Sequence, residues 1–220
     1  MQITQMKDVI PTVDENDVLT GHGTKRECHT RIGGDGRGKL HRAFSVFLFN
    51  SEKKLLLQRR SATKITFPGY YTNTCCSHPR YNPEELVEDG DAGIKTAAQR
   101  RMAFELGIVE SRFPHAEQDV ITRIHYFANS CAEWCEHELD YVIFVQGEVD
   151  LSAVNEDEVS ETLYVSMDEM KEFRKNENVL FTPWFKYICD NFLYKWWEAL
   201  DSLDDVKDSS IQRAGDQSQI

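Results

Sequence analysis

Nothing in this chain of 220 residues approaches the roughly 18 consecutive apolar residues that a membrane-spanning helix needs. No basic stretch followed by an apolar one opens the sequence, so no secretory signal is visible. Positive charge is scarce: 25 Lys and Arg face 37 Asp and Glu, a net charge of −12. That balance argues against non-specific nucleic-acid binding, and any anionic ligand must be met by a local basic cluster. There is no Gly-x-Gly-x-x-Gly helix start, so neither a flavin nor NAD is expected. The glycine-rich Gly33-Gly34-Asp35-Gly36-Arg37-Gly38 has the wrong pattern and reads as a flexible loop. Internal repeats and low-complexity blocks are absent too. The six cysteines do not form a disulfide framework on paper, because Cys75 and Cys76 are adjacent and the chain is long. Reduced thiols in a cytosolic protein are the expectation.

With 40% apolar residues, the chain can bury a sizeable core. Residues 1–200 read as a single domain, and residues 201–220, polar and acidic, as a flexible tail. Residues 42–49 read as a buried strand, and residues 55–60 as its return after the Asn50-Ser51 turn. Ile94, Ala97, Ala98, Met102 and Leu106 at helical spacing predict a helix over 93–106, with Gly107 as its stop. Strands are expected at 119–128, 138–149 and 161–165. A short helix should follow to about Lys175, then one long aromatic-rich helix over 184–200. This order predicts an α+β fold.

The chemistry-bearing residues gather in a few places. Cys76 lies in a turn-rich segment, two residues from His78. Taken alone, such a cysteine is more often a small apolar core residue, but a thiol can exchange a proton if its surroundings tune it. Glu136 and Glu138 alternate on a strand, which puts both carboxylates on one face and His137 on the other. Such a pair is often a solvated strand end; on an apolar strand it would repel itself unless a cation lay between. His29, His41 and His78 are the further candidate ligands; with the two glutamates they would suit Zn²⁺ or Mn²⁺. His22, His115, His125 and His137 lack supporting context. Arg59, Arg60, Lys64, Arg100 and Arg101, with Lys25, offer a diphosphate clamp, although such cations are commonly just solvated surface.

Residues 100–108 resemble a degraded Nudix box: Arg100, Met102, Glu105, Gly107 and Ile108 match, whereas Arg101 and Phe104 replace two acids and the earlier glutamate falls on Ala92. A Nudix-type diphosphate hydrolase is thus one alternative reading, and a non-catalytic metal- or diphosphate-binding protein another. From about Val13 to Leu200 the chain resembles the type I isopentenyl-diphosphate isomerases, animal members most closely. The resemblance rests on 40–45 (Leu-His-Arg-Ala-Phe-Ser), Phe67-Pro68-Gly69, 72–79 (Thr-Asn-Thr-Cys-Cys-Ser-His-Pro), Arg100-Arg101, Glu136-His137-Glu138 and Thr182-Pro183-Trp184. Cys135, before Glu136, stands where the animal members lead one to expect glycine.

That resemblance implies a Nudix-like fold with terminal additions, and interconversion of isopentenyl and dimethylallyl diphosphate. It implies that Cys76 and Glu138 carry the proton transfers, assisted by Tyr126, with Trp184 over the hydrocarbon. It maps a metal shell onto His29, His41, His78, Glu136 and Glu138, filled by Zn²⁺, Mn²⁺ or Mg²⁺. Glu105 would join a second ion, Mg²⁺, to the substrate diphosphate, and Lys25, Arg60, Lys64 and Arg101 would bind that diphosphate. The expected partner is a small isoprenoid diphosphate, and the protein is expected to be a cytoplasmic monomer. The final Ser218-Gln219-Ile220 is not the peroxisomal Ser-Lys-Leu signal, although a peroxisome is compatible with the rest.

Overall fold

The computed structural model describes residues 2–31 and 36–217. Much of the glycine-rich loop and the terminal Ser218-Gln219-Ile220 therefore lie outside the described residues. Ten strands form one mixed sheet. Its centre is β3 (His41–Phe49), in which every residue is buried. β3 runs parallel to β8 (Cys135–Gln146) and pairs antiparallel with β6 (Cys75–Ser77). Beyond β8 come β7 (Asp119–Asn129) and β10 (Ile211–Asp216); on the other side of β3 lie β1 (Val9–Val13) and β2 (Leu19–Thr24). β4 (Leu55–Arg60) links β3 to the short β5 (Tyr71–Thr72) and to β9 (Val159–Val165).

The period of two in β3 divides the core. Phe47 and Phe49 face one apolar layer, and Phe44, Val46 and Leu48 the other. On the second face packs α3 (Ala92–Leu106) through Ile94, Ala97, Ala98, Met102 and Leu106, the residues whose spacing predicted it. Gly107 ends it with φ +72, and a Cβ there would sit 2.7 Å from Ala153 O. A side chain at 107 would thus be strained and would push away the loop that leads to β9. The first face is covered by α5 (Pro183–Asn191) and α6 (Leu193–Glu198).

Three expectations need correction. The single helix over 184–200 is broken at Phe192 (φ −138), whose ring stacks on Trp196 at 5.0 Å. Trp197 meanwhile donates its indole N–H to Lys53 O at 2.7 Å. Seating these rings on a twisted sheet redirects the chain. The segment between Thr72-Asn73 and His78-Pro79, expected to be rich in turns, holds strand β6 instead. Residues 211–216, expected to fray, form β10, which pairs in parallel with β7. Main-chain pairing to an open sheet edge does not depend on side-chain polarity, so composition could not foretell it.

Candidate active site

Register brings the chemistry together. His41 opens β3 directly beside Glu138 of β8, and Glu138 in turn lies opposite Tyr126 of β7. Cys76 of β6 pairs with Ser45 of β3, and His78 follows just beyond β6. His29 ends the short α2 (Lys25–His29), which starts with a capping box: Glu27 N reaches Thr24 Oγ1 at 3.2 Å and Thr24 N reaches Glu27 Oε2 at 2.7 Å. Lys25 is the first residue of that helix.

The three imidazole rings lie 4.7 to 4.9 Å apart between centroids. One ligand atom from each of His29, His41, His78, Glu136 and Glu138 lies within 4.8 Å of all the others, and all five residues are buried. His29 Nδ1 donates to Lys25 O at 2.7 Å and His41 Nδ1 to Lys39 O at 2.8 Å. Carbonyls only accept, so in both rings Nδ1 carries a proton, and Nε2 is the nitrogen turned toward the carboxylates and the one a metal ion would take. His29 Nε2 lies 2.9 Å from Glu136 Oε2; His78 Nε2 and His41 Nε2 lie 2.8 and 3.5 Å from Glu138 Oε1. His41 Nε2 and Glu136 Oε2 are nevertheless buried without a well-formed hydrogen bond, the condition a cation would relieve.

His29, His78, Glu136 and Glu138 of this shell form one wall of a cavity of about 30 Å³ that Lys25, Arg60, Lys64, Cys76 and Trp184 also line. Larger grooves exist, including one of about 530 Å³ beside α3, but the convergent polar groups are here. Burial pushes the Cys76 thiol up to about 12, against the pull of Arg60, so it is protonated near neutrality. Burial works against the Glu138 anion as well, but His41 and His29 outweigh it and bring that carboxyl down to about 2. Tyr126 donates its hydroxyl to Glu138 Oε2, and burial beside that carboxylate pushes the phenol well above its usual range. Trp184 lies under the Arg60 guanidinium at 5.7 Å and donates its N–H to Asn73 Oδ1 at 3.1 Å.

Beside the cavity sits a cluster of buried charge. Glu105 pairs with Arg101 and lies 3.8 Å from Lys64; Lys64 and Arg101 also meet Glu158, the latter at 3.6 Å. Burial opposes the Glu105 anion, but Lys64 and Arg101 bring it to about 2. Burial and then the like charges of Lys64 and Arg101 push Lys25 down to about 8. Arg59 and Arg100 do not join. Arg59 is exposed over Tyr71, and Arg100 is held by Glu85 and His78 O. His137 points away from the shell toward His125 at 3.3 Å, as period two requires. Cys135 is accommodated where glycine was expected: Gly38, lacking a Cβ, donates its N–H to Cys135 Sγ at 3.2 Å.

Sequence reasoning missed three buried polar residues. Glu158 is fully buried and completes the charge cluster, yet it lies within an acidic run that reads as loop. Asp140 accepts from Ser45 Oγ at 2.8 Å, and burial, then Glu138, pushes its carboxyl well above the usual range. Its parity with Glu136 and Glu138 was the available signal. Asn73 meets Trp184 across 111 residues of sequence, for which no local signal exists.

A NUDIX domain pattern matches residues 39–185 of the chain. Isopentenyl-diphosphate delta-isomerase from Schizosaccharomyces pombe is 45% identical over 215 residues, covering 96% of this chain and 93% of that protein. Isopentenyl-diphosphate Delta-isomerase 1 from Bos taurus is 48% identical over 205 residues, covering 92% of this chain and 89% of the relative. Among solved structures, DR0079 from Deinococcus radiodurans matches with a TM-score of 0.59 at 13% identity, over 84% of this chain and 100% of that one, which speaks to the fold alone. By its domain and by identity along nearly its whole length, this chain belongs to the isopentenyl-diphosphate delta-isomerase family of NUDIX-domain proteins.

Proposed function

We propose that the protein interconverts isopentenyl diphosphate and dimethylallyl diphosphate by protonation and deprotonation through a tertiary carbocation. The observation that carries this reading is one small cavity lined by a thiol, two carboxylates, an indole and cations. Moving a double bond needs one group that gives a proton and another that takes a different one. Cys76 and Glu138 would share these two jobs, with the Tyr126 hydroxyl hydrogen-bonded to Glu138. The Trp184 face would stabilise the cation by ~2 kcal/mol in a dry site. Arg60, Lys64, Arg101 and Lys25 would hold the diphosphate.

His29, His41, His78, Glu136 and Glu138 fit a divalent ion, given their converging atoms and the two left without hydrogen bonds. Zn²⁺, Mn²⁺ or Mg²⁺ bound there would supply positive charge that keeps the two glutamates ionised and fixed. Glu105 is the one acid of α3 facing the cations and would hold Mg²⁺ that arrives with the diphosphate. The same pairing disfavours hydrolysis, because Arg101 and Phe104 stand where further metal-holding acids would be needed. The reading takes the protein as a cytoplasmic monomer acting on a small molecule.

Isopentenyl diphosphate incubated with the protein in deuterated water tests it. Deuterated dimethylallyl diphosphate is expected; released phosphate would support the hydrolase, and recovery of unchanged substrate the binding protein.

A further inference from the structure

We propose that Asn73 is a positioning residue that fixes the Trp184 indole relative to the Cys76 strand and so keeps water away from the tertiary cation. The inference rests on the isomerase reading above. Asn73 is fully buried between β5 and β6. A side-chain amide has two donor hydrogens and two acceptor lone pairs, and here all four are engaged. Its nitrogen donates to Val46 O at 3.1 Å and to Cys75 O at 3.0 Å. Its oxygen accepts from Trp184 Nε1 at 3.1 Å and from Thr72 Oγ1 at 2.9 Å. Cys75 O belongs to the peptide bond that leads into Cys76. One amide therefore touches both the backbone of the thiol and the ring proposed to face the cation.

A second contact runs the same way. Thr72 spends its proton on Asn73, so at 2.7 Å it accepts from the Thr182 hydroxyl. Thr182 precedes α5, the helix that carries Trp184. The ring contacts of the indole include Phe67, edge-on at 5.5 Å, Tyr126 at 6.0 Å and the Arg60 guanidinium at 5.7 Å. Ring and apolar contacts are less directional than a hydrogen bond and do less to fix the rotation of the indole about its Cβ–Cγ bond. The Nε1 bond to Asn73 is directional and sets that rotation. Without it the ring can slip and admit water. The oxygen of water would then add to the tertiary carbon and lose a proton to solvent, giving 3-hydroxy-3-methylbutyl diphosphate instead of an alkene.

The test compares wild type with Asn73→Ala in metal-replete protein, measuring kcat, KM and the fraction of alcohol product by mass spectrometry. Asn73 touches none of the diphosphate cations, so KM should stay within about threefold. kcat should fall about 10- to 30-fold, the loss of most of a desolvated cation–π contact, and alcohol should rise above the wild-type level. A purely structural role would lower the folded fraction while leaving the product mixture unchanged, and that result would overturn the proposal. Should Asn73→Ala not fold, replacing Trp184 by benzothienylalanine carries the test, since that ring keeps its size and loses only the N–H. Alcohol formation is expected there; its absence from a folded protein overturns the proposal. Wild type that fails to isomerise would instead remove the isomerase reading, and this inference with it.

Discussion

Replacing Glu158 by glutamine would change one charge and almost no volume in the buried cluster beside the cavity. Lys64, Arg101, Glu105 and Glu158 together are neutral, with Gln5 Nε2 donating to Glu158 Oε1 at 2.5 Å. The amide leaves two cations against the single carboxylate of Glu105. Removing one member of a buried pair costs about 3–5 kcal/mol, because its partner stays buried and unpaired. Here Glu105 lies 3.8 Å from Lys64 and takes over part of the compensation. That partial compensation brings the cost to the bottom of this range or just below it, ~2–3 kcal/mol, or about a 30- to 150-fold drop in the folding equilibrium constant. Guanidinium unfolding at pH 7 would read it.

Inorganic diphosphate should then rescue the variant more than it stabilises wild type, since the anion restores the missing negative charge beside Lys64 and Arg101. The assay is therefore run with and without it. A loss under about 1 kcal/mol would place Glu158 with ordinary surface pairs. Equal stabilisation of both proteins by diphosphate would also refute the reasoning, by showing that the anion does not reach these cations.

Three further outcomes follow from the same geometry. Cys76→Ala should lower turnover by about 10²–10⁴-fold while calorimetric affinity for the diphosphate substrate stays close to wild type; near-normal turnover would remove the thiol from the chemistry. Glu138→Gln should lose both activity and bound metal by elemental analysis, so stoichiometric metal in the purified variant would contradict the shared role. Lys25 has its ammonium pushed down to about 8 by burial and by Lys64 and Arg101, which fixes the sign of two pH effects. Its charged form costs the fold some stability at lower pH, a cost relieved as pH rises through 8. Its help to an anionic substrate runs the other way, so KM should climb between pH 7 and 9, and Lys25→Arg should flatten the climb.

How much of this was readable in the sequence depended on the length of chain between partners. Period two along a strand is local, and it placed Glu136 and Glu138 on one face and turned His137 away from them. Side-chain direction divides the cations in the same way. Arg59 and Arg60 are neighbours on β4 and must point oppositely; Arg100 and Arg101 are neighbours on α3 and diverge by about 100°. Adjacent arginines therefore cannot all enter one clamp, and one of each pair is exposed or held elsewhere. Glu158 offered no comparable handle. It differs from Glu156 and Asp157 in nothing but what it meets, and it meets Lys64 and Arg101 only because the loop before β9 docks on the end of α3, where Asn155 N donates to Glu105 O at 3.0 Å. Asn73 is the extreme case. Its four hydrogen bonds reach residues as far apart as Val46 and Trp184, so its work is defined only once three strands and a helix are in place. The proton-handling residues can be marked by local pattern, whereas the residues that hold them at the right distance are set by the fold.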